Sequence, residues 1–191
     1  MQYDYLTELL GIQGFQVAKV NNMWIDGWSE VKIELVRTTD IYVCGGCNWK
    51  VRGAYDSSWQ EIQHLSLWNH RTFLRFKRYR VDCPHCGIKT EALDFVGIRG
   101  PRVTKMLSHM VTELCKVMTI KSVALLEGLC RDTVKAIDKQ ALQEIQESRC
   151  LDGITTLGVD EISAGKGQNY LHLVSALEGP RGPEMLYIGK G

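Results

Sequence analysis

Apolar and polar positions alternate most cleanly at Val31-Lys32-Ile33-Glu34-Leu35-Val36, a period of two that predicts a strand with one buried face. Ahead of it, residues 1–15 read as a short amphipathic helix built on Tyr5, Leu6, Leu9 and Leu10 and ended by Gly11 and Gly14. A second β-rich stretch ends in Thr72-Phe73-Leu74-Arg75-Phe76-Lys77-Arg78-Tyr79-Arg80-Val81, and Gly100-Pro101 punctuates the chain after it. From Thr104 to about Gln146 the spacing changes to three and four. Met106, Leu107, Met110, Val111, Leu114 and Val117 then define one helix face. Beyond Leu151 short strands return, separated by glycine-rich turns, and they read as a three-stranded antiparallel meander. The expected fold class is α+β. Its parts are a β-rich region over residues 1–100, with a zinc finger at about 40–97, a helical module over 101–150, and a new sheet beginning at 151–191.

A hydrophobic content of 45% marks a folding composition. No apolar run approaches the roughly 20 residues of a membrane span, and the acidic start Met1-Gln2-Tyr3-Asp4 is unlike a signal peptide, so a cytoplasmic protein is expected. The net charge of +1 is unevenly placed: residues 41–100 carry 9 basic and 5 acidic side chains, whereas residues 1–40 carry 3 and 6. A basic middle of this kind is the footprint of a polyanion contact.

Four of the seven cysteines form Cys44-Gly45-Gly46-Cys47 and Cys83-Pro84-His85-Cys86. Two residues between thiols let one tight turn aim both sulfurs at a single ion, and two such turns close a four-sulfur Zn²⁺ site with no open position for catalysis. His85, wedged between two ligands, is the poorer donor. Free thiols or a redox pair are the alternatives, and two pairs bracketing a β-rich stretch argue against both. Between the pairs, Arg71, Arg75, Lys77, Arg78 and Arg80 occur with no acid among residues 71–80. They read either as phosphate contacts on DNA or as charges guarding an exposed edge strand. Alternation would put Arg78 and Arg80 on one side of that strand and Lys77 on the other.

The stretch Ile120–Glu127, Gly128-Leu129-Cys130, then Arg131 to Lys139 has the plan of a helix-turn-helix, with Ala124 at the crossing and Val134 and Ile137 facing the core. That arrangement would leave Lys121, Arg131, Thr133, Lys135 and Lys139 toward a major groove. Gly153 to Ile162 reads as a strand carrying Asp160, a candidate hard oxygen ligand for a divalent ion.

Taken together, the two cysteine pairs, the Ser122–Ile137 segment, and Gly158-Val159-Asp160-Glu161 followed by Lys166-Gly167 and Tyr170 resemble the ISL-three family of insertion-sequence transposases. That resemblance implies a zinc finger, a helix-turn-helix and an RNase H-like DDE domain. It further implies Asp160 as the first catalytic carboxylate, Mg²⁺ or Mn²⁺ as cofactor, and double-stranded DNA at the element's terminal inverted repeats as partner. A homo-oligomer would suit paired element ends. The second aspartate and the glutamate of the family's triad would lie beyond Gly191, so the chain alone is expected to be catalytically inactive, its last segment a truncated catalytic start. Two readings compete with a transposase portion. One is a non-catalytic zinc-finger/helix-turn-helix regulator of transposition or transcription, and the other is a zinc-stabilised protein-interaction module.

Overall fold

The structure is a computed structural model describing residues 3–25, 28–97, 102–163, 165, 169–180 and 182–190. The Gly100-Pro101 break and the Lys166-Gly167 motif lie outside the described residues. The chain divides into two compact units, Met1–Gln143 and Glu144–Gly191.

The first unit opens with helix α1 (Asp4–Leu10), closed by Gly11 in the left-handed region at φ 60°. Only part of the expected apolar face is used. Leu6 and Leu10 pack on the sheet with Tyr3, while Tyr5 and Leu9 point to solvent. Strands β1 (Phe15–Ile25) and β2 (Trp28–Arg37) then pair antiparallel, and Val31, Ile33 and Leu35 bury the face that their alternation predicts. A small ribbon of β3 (Ile41–Val43) and β4 (Lys50–Arg52) follows. Next comes a long hairpin, β5 (Asp56–Leu67) and β6 (His70–Cys83), and then β7 (Gly87–Thr90).

The main sheet runs β1-β2-β6-β5, with β7 also paired to β6. β2 lies parallel to the first half of β6, from Glu30 opposite Arg71 to Leu35 opposite Phe76. β7 pairs with the last residues, from Arg80 to Cys83. β6 is therefore an interior strand, with β5 on one side and β2 then β7 on the other, and the edge-strand reading of its basic residues is corrected except at Lys77 and Arg78, which lie between the stretches that β2 and β7 cover. Its burial also changes phase. Thr72, Leu74 and Phe76 are buried in the first half, and Val81 and Cys83 in the second. Because successive side chains of a strand point to opposite faces, β6 serves two cores. One gathers Phe15, Ile33, Leu35, Ile62, Leu74 and Phe76, with Phe15, Phe76 and Phe95 meeting edge to face at 5.2–6.0 Å. The other gathers Tyr42, Cys44, Val81 and Cys83.

Three helices complete this unit: α2 (Lys105–Cys115), α3 (Ile120–Glu127) and α4 (Arg131–Glu147), the last running past the unit's boundary at Gln143. Thr104 and Thr119 cap α2 and α3, their side-chain oxygens accepting the N–H of Leu107 and Ser122. Leu107, Val111, Val123, Ala124, Val134 and Ile137 form the helical core, as the spacing predicts for all except Met106, Met110 and Val117, which remain exposed. The helices are fastened to β5. Gln63 N donates to Arg102 O at 3.1 Å, Gln63 Nε2 donates to Glu127 O at 2.7 Å, and His64 Nδ1 lies 2.9 Å from Thr104 Oγ1.

Burial lowers the pKa of His64, which favours the neutral ring. A depressed folded pKa contributes stability that is present above the unfolded value near 6.5 and is lost as pH falls through the folded value. Denaturant unfolding of wild type between about pH 8 and about pH 5 should therefore lose up to roughly 1.4 kcal/mol per pH unit more than His64→Gln, which keeps the same metal site. Parallel pH profiles for the two proteins would show that His64 is not the titrating group.

The second unit carries β8 (Thr156–Ser163), β9 (Tyr170–Glu178) and β10 (Glu184–Lys190), antiparallel in the order β10-β9-β8. Ala176 is fully buried, while Leu157, Val159, Ile162, Tyr187 and Ile188 are exposed.

Candidate metal centre and nucleic-acid interface

The two cysteine turns are built alike. Cys44 follows β3 and Cys83 ends β6, and in each turn the residue after the second cysteine takes a left-handed backbone: Asn48 at φ 60° and Gly87 at φ 66°. That conformation suits glycine and asparagine far better than other residues. Within the first turn, Gly46 N donates to Cys44 Sγ at 3.4 Å. Space also restricts this turn. A Cβ on Gly45 would come within 2.5 Å of Thr90 O, and one on Gly46 within 3.2 Å of Cys86 Sγ.

The sulfurs of Cys44, Cys47, Cys83 and Cys86 all lie within 4.8 Å of one another, with Cys47 and Cys83 at 3.5 Å. Zinc–sulfur bonds of about 2.3 Å in a tetrahedron require sulfur separations of about 3.8 Å, so the four donors fit a Zn²⁺ ion. The electrostatics agree. The Gly46 N–H, foremost among its donors, lowers Cys44 to about 7, whereas Cys86 is pushed up to about 12, chiefly by its contact with Cys47. One thiolate forms readily while Cys47 and Cys86 resist a second charge; a divalent cation removes that conflict. Four protein sulfurs leave no open position, which makes the site structural. His85 is outside the ligand cluster and packs edge to face on Trp49, ring centroids 4.9 Å apart. Cys115, Cys130 and Cys150 are also outside it.

Sequence reasoning missed the buried pair beneath the ribbon. The Glu91 carboxylate is fully enclosed, accepts the N–H of Tyr79 at 3.0 Å and is paired to Arg37, whose guanidinium lies 4.6–5.5 Å from the rings of Phe15, Tyr42 and Tyr79. These two residues are 54 positions apart, and neither stands in a recognisable local motif.

The basic residues of β6 are dispersed. Arg71 lies against the α3–α4 turn, where a Cβ on Gly128 would meet its guanidinium at 2.3 Å. Arg75 and Lys77 approach the exposed Trp59 ring at 4.7 and 5.6 Å. Arg78 and Arg80 share one side by alternation, yet it is the side of Leu74 and Phe76. Arg78 is half-buried there, donating to Gln60 Oε1 and Glu91 O at 3.2 Å, and only Arg80 reaches solvent, paired to Asp56. The absence of acid within the strand does not hold across the sheet: Glu34 and Glu61 stand opposite Arg75, and Asp56 opposite Arg80.

On the helices, Lys121, Arg131, Lys135 and Lys139 are exposed, and the last three are spaced four apart along one side of α4. Thr133 is half-buried with its hydroxyl 2.8 Å from Cys130 Sγ. Asp160 is exposed in the middle of β8 and accepts the N–H of Glu161 at 2.8 Å. Glu161 bonds His172 on β9 at 3.1 Å. Among the described residues the cysteine cluster is the one group able to hold a metal ion.

Among the described residues no helix is long and apolar enough to cross a membrane. No curated protein and no solved structure matches the chain. The paired cysteine turns and the hairpin between them fall within residues 42–86, and this segment matches the family described as the zinc-finger of transposase IS204/IS1001/IS1096/IS1165.

Proposed function

We propose that this chain recognises the DNA ends of an insertion sequence as the DNA-binding portion of its transposase. The observation that carries this reading is the transposase zinc ribbon in the same compact unit as α3, the Gly128 turn and α4 as far as Gln143. Left-handed Gly128 at φ 64° closes α3, Ala124, Val134 and Ile137 pack the pair together, and Arg131, Lys135 and Lys139 stay free of the core. A helix-turn-helix needs this arrangement, its second helix presenting basic side chains to a major groove. Lys121 on α3, with Arg75 and Lys77 on the sheet, would add phosphate contacts. Arg71, Arg78 and Arg80 are engaged within the protein and are weaker candidates. The terminal inverted repeats are the proposed target, bound by paired copies.

Asp160 is proposed as the first carboxylate of an RNase H-like DDE site. In such a site Mg²⁺ or Mn²⁺ would activate water and stabilise the leaving oxygen. Two ions about 4 Å apart need several carboxylates, so Asp160 acts only alongside acids contributed elsewhere in the catalytic domain.

Fluorescence anisotropy with duplexes cut from the ends of the encoding element, against scrambled duplexes, tests DNA recognition. Lys135→Glu should weaken end binding and reduce the slope of log affinity against log salt by about 1. Equal affinity for end and scrambled duplexes, with no effect of Lys135→Glu or Arg131→Glu, would favour a protein-interaction module instead.

A further inference from the structure

Two hairpins of the main sheet end side by side. β2 and β6 run parallel, with Glu30 opposite Arg71, so both strands begin at the same end of the sheet. His70 Nδ1 and Ser29 Oγ meet at 2.6 Å across that end, and Ser29, opposite Trp24 on β1, donates to Asn22 Oδ1 at 3.0 Å. Around this part-buried bridge two indoles face solvent, Trp24 at 75% and Trp68 at 91% exposure.

Trp68 is held at a conformational cost. It is the first of the two residues joining Leu67 to His70, and its φ is +54°. Loops of this length favour a positive φ at that position, normally supplied by glycine, asparagine or aspartate. A bulky side chain there is an outlier, and outliers of this kind concentrate where a surface is used. With its side chain almost wholly in solvent, Trp68 gains nothing from packing to offset that cost.

Its neighbourhood indicates the use. Arg71, three residues on, lies against Gly128, and three residues of extended chain span about 10 Å. The tip is therefore within about 10 Å along the chain of the residue that touches the α3–α4 turn. Residues 65–73 contain no acid, and the one acid paired across the sheet from them, Glu30, stands opposite Arg71 and not opposite the turn.

We propose that the Trp68 tip, with Trp24 beside it, is a second DNA-contacting element that packs an indole against an unstacked base step next to the α4 site. This rests on the reading of α4 given above. Every base offers a face to an indole, and an apolar wedge at a base step exchanges stacking for protein contact.

Trp68→Gly tests it, because glycine fits this turn better than tryptophan. Thermal stability should hold or rise, while affinity for the end duplex falls roughly ten-fold. Wild type should also prefer a duplex with an abasic site at the flanking step, where unstacking is already done, and the variant should lose that preference. Trp68→Asn, which tolerates a positive φ better than tryptophan does, should behave the same way. Wild-type DNA affinity in both variants, with Lys135→Glu still defective, would overturn the tip proposal and leave the α4 reading standing. No effect from any of the three would remove the α4 reading as well. Loss of self-association with unchanged DNA affinity would make the tip a contact between copies, and a large drop in stability would make Trp68 structural; either result overturns the proposal.

Discussion

Cys83→Ser is expected to abolish stoichiometric zinc binding and to unfold the ribbon, with chelation of the wild-type protein giving the same product. Cys83 and Cys44 are almost fully enclosed, so each is both a ligand and a core residue packed on Tyr42 and Val81. Serine offers a harder, weaker donor and leaves three thiols to hold the ion. Structural zinc contributes on the order of 10 kcal/mol of apparent folding free energy in small fingers, and a core this small has no comparable reserve. Zinc entry also requires Cys86, pushed up to about 12, to lose its proton, so zinc affinity should fall as pH falls. Elemental analysis and far-ultraviolet circular dichroism provide the check. A Cys83→Ser protein that keeps one zinc per chain and the wild-type spectrum would exclude this site.

The second large effect concerns Arg37 and Glu91. Glu91→Ala should destabilise the first unit by about 3–5 kcal/mol, because it leaves a guanidinium among aromatic rings without its counter-charge and removes the acceptor of Tyr79 N–H. Burial raises the Glu91 pKa even though Arg37 and the Tyr79 N–H pull it down, so desolvation outweighs the attraction. The pair is then costly to break and of little net benefit to make. Arg37→Met combined with Glu91→Leu should recover most of the loss in a double-mutant cycle read by denaturant unfolding. A double variant no more stable than Glu91→Ala would mean that the charges themselves hold the two cores together.

How far the sequence could be read depended on the range of the interaction. Alternation at Val31–Val36, three- and four-residue spacing at Leu107–Val111, and glycine at 128 are local signals, and each element stands where they indicate. The paired cysteines were equally legible, because two residues between thiols constrain the backbone wherever the partner pair comes from. Charge did not read through in the same way. Arg78 and Arg80 look equivalent along the strand, but only the sheet sets Gln60 and Glu91 against the first and Asp56 against the second. Strand order had no local signature either: parallel pairing of β2 with β6 joins residues about forty apart, and this placed the basic strand inside the sheet. Asp160 is exposed on its strand, and the role proposed for it depends on carboxylates that local pattern cannot supply.

The double duty of β6 bears on how such a ribbon can be moved between proteins. The segment 42–86 looks like a cassette, since it contains all four sulfurs and the hairpin between them. Cut out at those limits, it would take Leu74 and Phe76 away from Ile33, Leu35 and Phe15, turning half of an inner wall into a greasy exterior. It would also leave both Arg37 and Glu91 behind, and with them the ion pair that seals the floor of the ribbon and the acceptor of Tyr79 N–H. A transplant that folds should therefore carry the chain from Phe15 through Val96, so the smallest exchangeable piece is about twice the length that the cysteine spacing alone would indicate.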